Sequence, residues 1–296
     1  MLATPKPSVG DWIAGARPRT LPAAVVPVAV GAGAAIGTDG TDVVWWRVLV
    51  ALAVSLLLQI GVNYANDYSD GVRGTDDARV GPMRLVATGT ASPSAVKQAA
   101  LLCLGLSAVL GLVLAVSTSW WLLAVGAAAI LAAWGYTGGP RPYGYLGLGE
   151  VFVFTFFGLV ATIGTTYVAI EEVPAVAWPA ACGVGLLACA LLVVNNLRDI
   201  PTDTDSGKRT LAVRIGARST RWLYVALVSC ALILAVVCAF DRVWSLLAVA
   251  AGLVAVAPIR RVLGGASGRD LIAVLGATGR VQLAYGALLT LGLALG

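Results

Sequence analysis

Two short polar passages interrupt a chain that is otherwise almost free of charge. NYANDYSDGVRGTDD runs from Asn63 to Asp77, and NNLRDIPTDTDSGK from Asn195 to Lys208. Each opens on asparagine and continues into carboxylates. Residues three or four apart share a helix face, so Asn63, Asn66, Asp67 and Asp70 are expected to point the same way from the end of one helix. Asp199 and Asp203 are likewise four apart. Pro201 stands between them and is expected to kink or end that helix, which leaves Asp205 as an alternative to Asp203. Carboxylates that converge in this way repel one another unless cations join them. Arg73, Arg198 and Lys208 are near enough in sequence to supply part of that charge. A set of Asp and Asn oxygens also suits Mg²⁺, which keeps waters and bridges to phosphates. Together with Arg141, Lys208 and Arg209, the two clusters are expected to clamp a diphosphate. With no histidine in the chain, a Ser-His or Cys-His nucleophile is excluded; metal-assisted departure of a leaving group needs none.

The elements that carry these clusters must sit in lipid. Of 296 residues, 59% are hydrophobic and 12% charged, where a soluble domain is about one-quarter charged. A bilayer core takes about 20 apolar residues per helix. Nine stretches qualify, at roughly 20–37, 46–64, 98–116, 119–136, 150–170, 175–196, 221–240, 243–259 and 272–294. The expected fold is all-α: a polytopic membrane protein with nine transmembrane helices around a central cavity. Residues 1–296 are expected to form one transmembrane domain. The clusters recur four helices apart, which predicts two related halves, about 16–140 and 141–296, facing one shared cavity. The long polar loops are expected at 65–97, 197–220 and 260–271. Residues 1–19 lack the apolar core of a signal peptide, so none is expected.

Charge orients the spans. All but three of the 20 Lys and Arg residues fall on the side that holds the N-terminus and both clusters; Arg47, Arg242 and Arg280 are the exceptions. The positive-inside rule makes that side cytoplasmic, and the scarcity of lysine hints at a GC-rich bacterial genome. The expected setting is a bacterial cell membrane with the site facing the cytoplasm and the basic loops near anionic headgroups. Nothing points to nucleic acid, because the basic residues lie in separate short loops. A lone polar cluster where a helix meets water is often just a solvated helix end. Two alike on one face favour a site, since carboxylates at a membrane boundary are functional candidates by default. Trp45, Trp46, Trp120 and Trp121 read as interfacial belt residues, and the five cysteines, all in apolar spans, as packing residues.

The passages NYANDYSDG and NNLRDIPTDTDSGKRTLAVRIG resemble the two aspartate-rich motifs of the UbiA-type intramembrane aromatic prenyltransferases. ARPRTLPAAVVPVAVG (Ala16 to Gly31) and GPRPYGYLGLGEVFVFTFFG (Gly139 to Gly158) are similar to the opening and central segments of the naphthoate-prenylating branch. The resemblance runs from residue 16 to about 216. It implies a nine-helix fold with a cavity opening toward lipid, and Mg²⁺-dependent transfer of a polyprenyl group from polyprenyl diphosphate to 1,4-dihydroxy-2-naphthoate. CO2 and diphosphate would leave, giving demethylmenaquinone. Carried over by position, Asn63, Asp67, Asp70, Asp199 and Asp203 are the implied metal ligands. Asn66, Arg73, Asn195 and Arg198 flank them as implied substrate contacts, and Arg141, Tyr136 and Lys208 match basic and aromatic positions around the diphosphate. Relatives often carry a third aspartate where this chain has Gly74; either Asp76 substitutes or two suffice.

Residues outside the motifs keep two readings each. Arg17 and Arg19 either hold the naphthoate carboxylate or serve as topology signals. Glu150 is either a substrate or catalytic group or an ordinary first-turn acid. Tyr143 and Tyr145 are either aromatic-substrate contacts or interfacial aromatics. The competing functions are prenyl transfer to 4-hydroxybenzoate, heme or a chlorophyll precursor, and cation-coupled transport. Transporters tend to bind near the bilayer midplane, whereas these carboxylates cluster at one boundary.

Overall fold

The computed structural model describes residues 7–74 and 84–296. Every regular element among them is helical: α1 (Val9–Gly15), α2 (Pro22–Ile36), α3 (Trp45–Arg73), α4 (Pro93–Ser117), α5 (Trp121–Gly135), α6 (Gly149–Ile170), α7 (Ala177–Asp205), α8 (Leu211–Cys238), α9 (Val243–Leu263) and α10 (Asp270–Leu295). Seven of these are long and apolar enough to cross a membrane, and α1–α2, bent by 53°, make an eighth span if counted together. The 15-residue α5 is apolar but short. Each of the nine expected stretches coincides with one of these units, so the protein is a multi-pass membrane protein with an approximate count of nine.

Local chemistry explains the ends. A capping box starts α1: the Ser8 hydroxyl accepts from the Asp11 amide, and the Asp11 carboxylate accepts from the Ser8 amide. The α1–α2 elbow forms where Arg17 adopts a left-handed φ of 56° ahead of Pro18, a conformation that costs energy for any residue but glycine. Two bonds hold it there: Asn63 Nδ2 donates to the Ala16 carbonyl at 2.8 Å, and the Thr20 hydroxyl to the Arg17 carbonyl at 3.0 Å. Ser92 and Thr210 cap α4 and α8.

Helices α3 and α7 overshoot the predicted spans. Each has 29 residues, about 43 Å at 1.5 Å per residue, against a hydrocarbon core of about 30 Å. Both polar clusters therefore ride on helix. The expected loop at 197–220 shrinks to residues 206–210, and α8 begins at Leu211 with a break at Gly216 (φ 77°, ψ 164°). Pro201 does not end α7, which continues to Asp205. Pro201 removes one amide donor, and beyond it hydroxyls help to meet the carbonyls of the last turns: Thr202 donates to Asp199, Thr204 to Ile200 and Ser206 to Thr202.

The hub is α7. Its apolar window is 72% buried, more than any other span, and it packs against α2, α6, α8 and α10. Small residues permit this, as in membrane bundles generally. At the α6–α7 crossing, a Cβ on Gly158 would stand 2.6 Å from the Cα of Gly185. Gly158 lies in a π-helical stretch, Phe154–Val160, whose wider turn re-aims the side chains on that face. Gly158→Val should lower the melting temperature in detergent, because overpacking costs about 1–3 kcal/mol. Gly105→Ala, where a Cβ meets nothing within 4 Å, should leave it unchanged or slightly higher. Equal melting of both variants would remove the crossing as a structural determinant.

Candidate active site

A cavity of about 720 Å³ runs through the bundle, and its walls are helical stripes. From α3 come Ala51, Val54, Ser55, Leu58, Gln59, Val62, Asn63, Asn66 and Asp70; from α7 come Ala188, Leu191, Leu192, Asn195, Asn196, Asp199, Thr202 and Asp203. Alternating steps of three and one residues keep one face of each helix inward. The apolar part continues along α5 (Leu122, Val125, Gly126, Ala129) and α6 (Phe152, Phe156, Phe157, Val160, Val168). From Ala51 to Asp70 the α3 stripe spans about 28 Å of helix. One end is lined by charge, the rest by hydrocarbon.

The two clusters meet at the polar end. Asp70, buried, accepts from the Tyr145 hydroxyl at 2.5 Å and from Lys208 Nζ at 3.2 Å, with Arg84 Nη2 3.8 Å away. Asp199 takes a two-pronged bond from Arg198, Nε to Oδ1 at 2.7 Å and Nη2 to Oδ2 at 2.8 Å, the fork geometry that makes arginine–carboxylate pairs strong. The same Nη2 donates to Asn195 Oδ1 at 2.7 Å. Asn66 Oδ1 accepts from the Thr137 hydroxyl at 2.7 Å. Asp203 is buried and lines the cavity, whereas Asp205 is exposed at the helix end.

Burial by itself would lower the Lys208 pKa, but the Asp70 carboxylate, Tyr145 and Asp203 outweigh it and hold the ammonium above its ordinary 10.5. A raised lysine is charged at every pH below that value. Its pairing with Asp70 is thus fully present at neutral pH and is lost only as pH rises through the elevated pKa. Burial, then Asp70, push the Tyr145 phenol up, so it stays a donor.

Other predicted residues are arranged around this centre. Arg17 and Arg19 line the cavity near the elbow, Arg17 half-buried and Arg19 exposed. Tyr136 and Tyr143 line it too; Tyr143 donates to the Ala132 carbonyl and stacks on Phe152 at 3.9 Å between centroids. Glu150 stands behind the wall, accepting from Asn196 Nδ2 at 3.1 Å. Arg73 is exposed and braces the loop after α5, donating to the Thr137 and Gly139 carbonyls. Arg141 is exposed on that loop and is not among the cavity-lining residues. Asp76 lies outside the described residues.

Two expectations change. Asn63 lines the cavity, but its amide is committed to the elbow: Nδ2 to the Ala16 carbonyl and the Thr20 hydroxyl, Oδ1 to Gln59. Asp67 does not share the inward stripe. One residue beyond Asn66, it is turned about 100° around the helix and is fully buried, accepting from the backbone amides of Leu85 at 2.8 Å and Val86 at 3.0 Å. Asp67 therefore pins the segment after residue 83 onto α3, where Val86 sits over Gly71, whose Cβ would approach it to 2.5 Å. That segment delivers Arg84 to Asp70. By sequence Arg84 is only one of the basic residues on the cytoplasmic side, because a single arginine beyond the motif carries no spacing that ties it to Asp70. Thr137 likewise has no such spacing, whereas Gln59, four residues before Asn63 on the same helix face, could have been found from it.

Among the described residues no three His, Cys, Asp or Glu side chains are grouped to hold a metal ion; Asp70 and Asp199 are each faced by a cation. The donor set nevertheless fits a hard cation. Asn66, Asp70, Asp199 and Asp203 line one cavity and offer only carboxylate and amide oxygens.

The chain belongs to the UbiA prenyltransferase family, whose model matches residues 24–294. It is 50% identical over 278 residues, 94% of each chain, to 1,4-dihydroxy-2-naphthoate octaprenyltransferase of Mycobacterium tuberculosis. The Escherichia coli enzyme of the same name is 39% identical over 232 residues, 73% of this chain and 72% of that one. In fold, the chain matches the structure of a UbiA homologue from Archaeoglobus fulgidus bound to GPP and Mg²⁺. The TM-score is 0.67 at 18% identity, over 94% of this chain and 99% of the other.

Asp67→Asn tests the pinning role. An asparagine would turn an NH2 group toward one of the two amides, and leaving a buried donor unmet costs about 1–3 kcal/mol. The melting temperature should fall, and activity with it. Unchanged melting with abolished turnover would instead assign Asp67 to the chemistry.

Proposed function

We propose that the chain transfers a polyprenyl group from polyprenyl diphosphate to 1,4-dihydroxy-2-naphthoate, releasing CO2 and diphosphate and forming demethylmenaquinol, the hydroquinone form of demethylmenaquinone, in menaquinone biosynthesis. The observation that carries this reading is the cavity itself: an oxygen- and cation-lined end opening into a long apolar gallery, in a chain half-identical to naphthoate prenyltransferases. A substrate with a diphosphate head and an isoprenoid tail matches both parts.

In this reading Lys208, Arg84 and Arg17 receive the diphosphate oxygens, and the tail lies along the α3–α5–α6 gallery. Asn66, Asp70, Asp199 and Asp203 are the residues to hold Mg²⁺, which when bound supplies neutralising charge to the leaving diphosphate. The bond between the first prenyl carbon and oxygen breaks with its electron pair going to diphosphate. Preplaced positive groups are worth most where charge develops, so the ammonium and guanidinia favour this departure. The ring carbon that bears the carboxylate attacks the allylic carbon. The bond to the carboxylate then breaks, its electrons restore the aromatic ring, and CO2 leaves. No histidine is required. Burial keeps Tyr145 protonated, which suits it to orienting Asp70 by hydrogen bonding. The basic loops support a cytoplasmic position for the polar end.

The test is mass identification of the product from purified protein, Mg²⁺ and a polyprenyl diphosphate, offered dihydroxynaphthoate and 4-hydroxybenzoate in parallel. Demethylmenaquinol, or the demethylmenaquinone that air oxidation makes from it, should form from the naphthoate alone. Asp203→Asn should slow it on the order of 10²-fold or more, the loss typical of one preorganised electrostatic group, with melting unchanged. Product from 4-hydroxybenzoate alone would move the chain to another branch of the family. Full turnover without a divalent cation would overturn the metal assignment.

A further inference from the structure

A second groove, of about 850 Å³, lies where the α1–α2 elbow meets α10. Four arginines edge it: Arg19 from the elbow, Arg261 from the end of α9, and Arg269 and Arg280 from the start and middle of α10. All four are exposed. Among the described residues no carboxylate lies within 4 Å of any of these guanidinia, and none donates a side-chain hydrogen bond. Exposed arginines outside the groove, such as Arg218 and Arg260, make no such contact either, whereas buried or bracing ones do. Arg47 pairs with Glu171, Arg198 with Asp199, and Arg73 and Arg221 cap carbonyls.

The floor between the arginines is apolar. Ile272, Gly276, Gly279 and Leu283 follow one stripe of α10 at helical spacing, and the two glycines leave the groove deep. Arg280 is ten residues into α10, about 15 Å along the helix from Asp270, within an apolar span. A lipid-facing charge at that depth is expensive unless it reaches the interface or finds a counter-charge. A guanidinium on a long stem can do both by extending toward the headgroups.

We infer that this groove binds an anionic phospholipid, with the phosphate among Arg261, Arg269 and Arg280 and an acyl chain along the Gly276–Gly279 floor. Charge complementarity selects an anion, and the apolar floor selects one that carries hydrocarbon. The diphosphate of a prenyl substrate is the less fitting occupant, because that head already has buried cations inside the main cavity. Pro18, Arg19 and Ile272 line both the groove and the cavity, so the bound lipid stands against a shared wall. The assignment is independent of the reaction proposed above.

The experiment is native mass spectrometry of protein released from nanodiscs of phosphatidylcholine doped with phosphatidylglycerol. The wild type should retain one phosphatidylglycerol in preference to phosphatidylcholine. Retention should fall about thirty-fold in the Arg269→Gln, Arg280→Gln double variant, the loss expected for two arginines facing an anionic lipid. The Arg218→Gln, Arg260→Gln double variant removes equal charge outside the groove and should retain the lipid as wild type does. Melting in pure phosphatidylcholine, expected to be unchanged in both, checks folding. Should the groove variant fail to fold, Arg261→Gln alone should still weaken retention severalfold. Equal retention in groove and control variants would overturn the inference. So would intact phosphatidylglycerol retention accompanied by lost binding of geranylgeranyl diphosphate in the groove variant.

Discussion

The arrangement depends on burying the Asp70 carboxylate where the bundle meets the membrane boundary. An isolated charge there would be costly, and three groups from different parts of the chain meet it: Tyr145 from the segment before α6, Lys208 from the turn after α7, and Arg84 from the segment before α4. Each contact ties a connection to the end of α3. The Lys208 amide also donates to the Asp203 carbonyl at 2.8 Å, so the turn that carries the ammonium is fixed to the second cluster as well. One buried charge thereby gathers both clusters around a single space.

Helix length makes this gathering possible. Because α3 and α7 extend past the hydrocarbon, their polar ends keep helical spacing, and each inward stripe passes from hydrocarbon to amide to carboxylate without a break. The first cluster then divides its work. Asn66 and Asp70 face the cavity, Asn63 holds the strained elbow at Arg17, and Asp67 holds the segment that brings in Arg84. Glu150 plays a comparable part on the other wall through Asn196.

Much of this was legible in the residues themselves. Nine apolar stretches stand out against so little charge, and each corresponds to a helix or bent pair. The four-residue interval of Asp199 and Asp203 correctly put both on one face. Pro201 misled because it removes a single amide donor, and the helix beyond it is still held by later amides and by threonine and serine hydroxyls on its carbonyls. Asp67 misled because a spacing of three or four admits two adjacent stripes, and only the packing of Leu85 and Val86 decides which one faces inward. Arg84 was invisible as a site residue, since its nearness to Asp70 comes from Leu85 and Val86 packing onto Asp67 and Gly71, which no local pattern encodes.

The central claim is that the two clusters act as one site, and a double-mutant cycle tests it most directly. Turnover of dihydroxynaphthoate would be measured for Asp70→Asn, Asp203→Asn and the combined variant, each checked for unchanged melting. Groups that act as a unit are strongly non-additive, so the double variant should be scarcely slower than the slower single one. Losses that multiply, as for independent sites, would contradict the account.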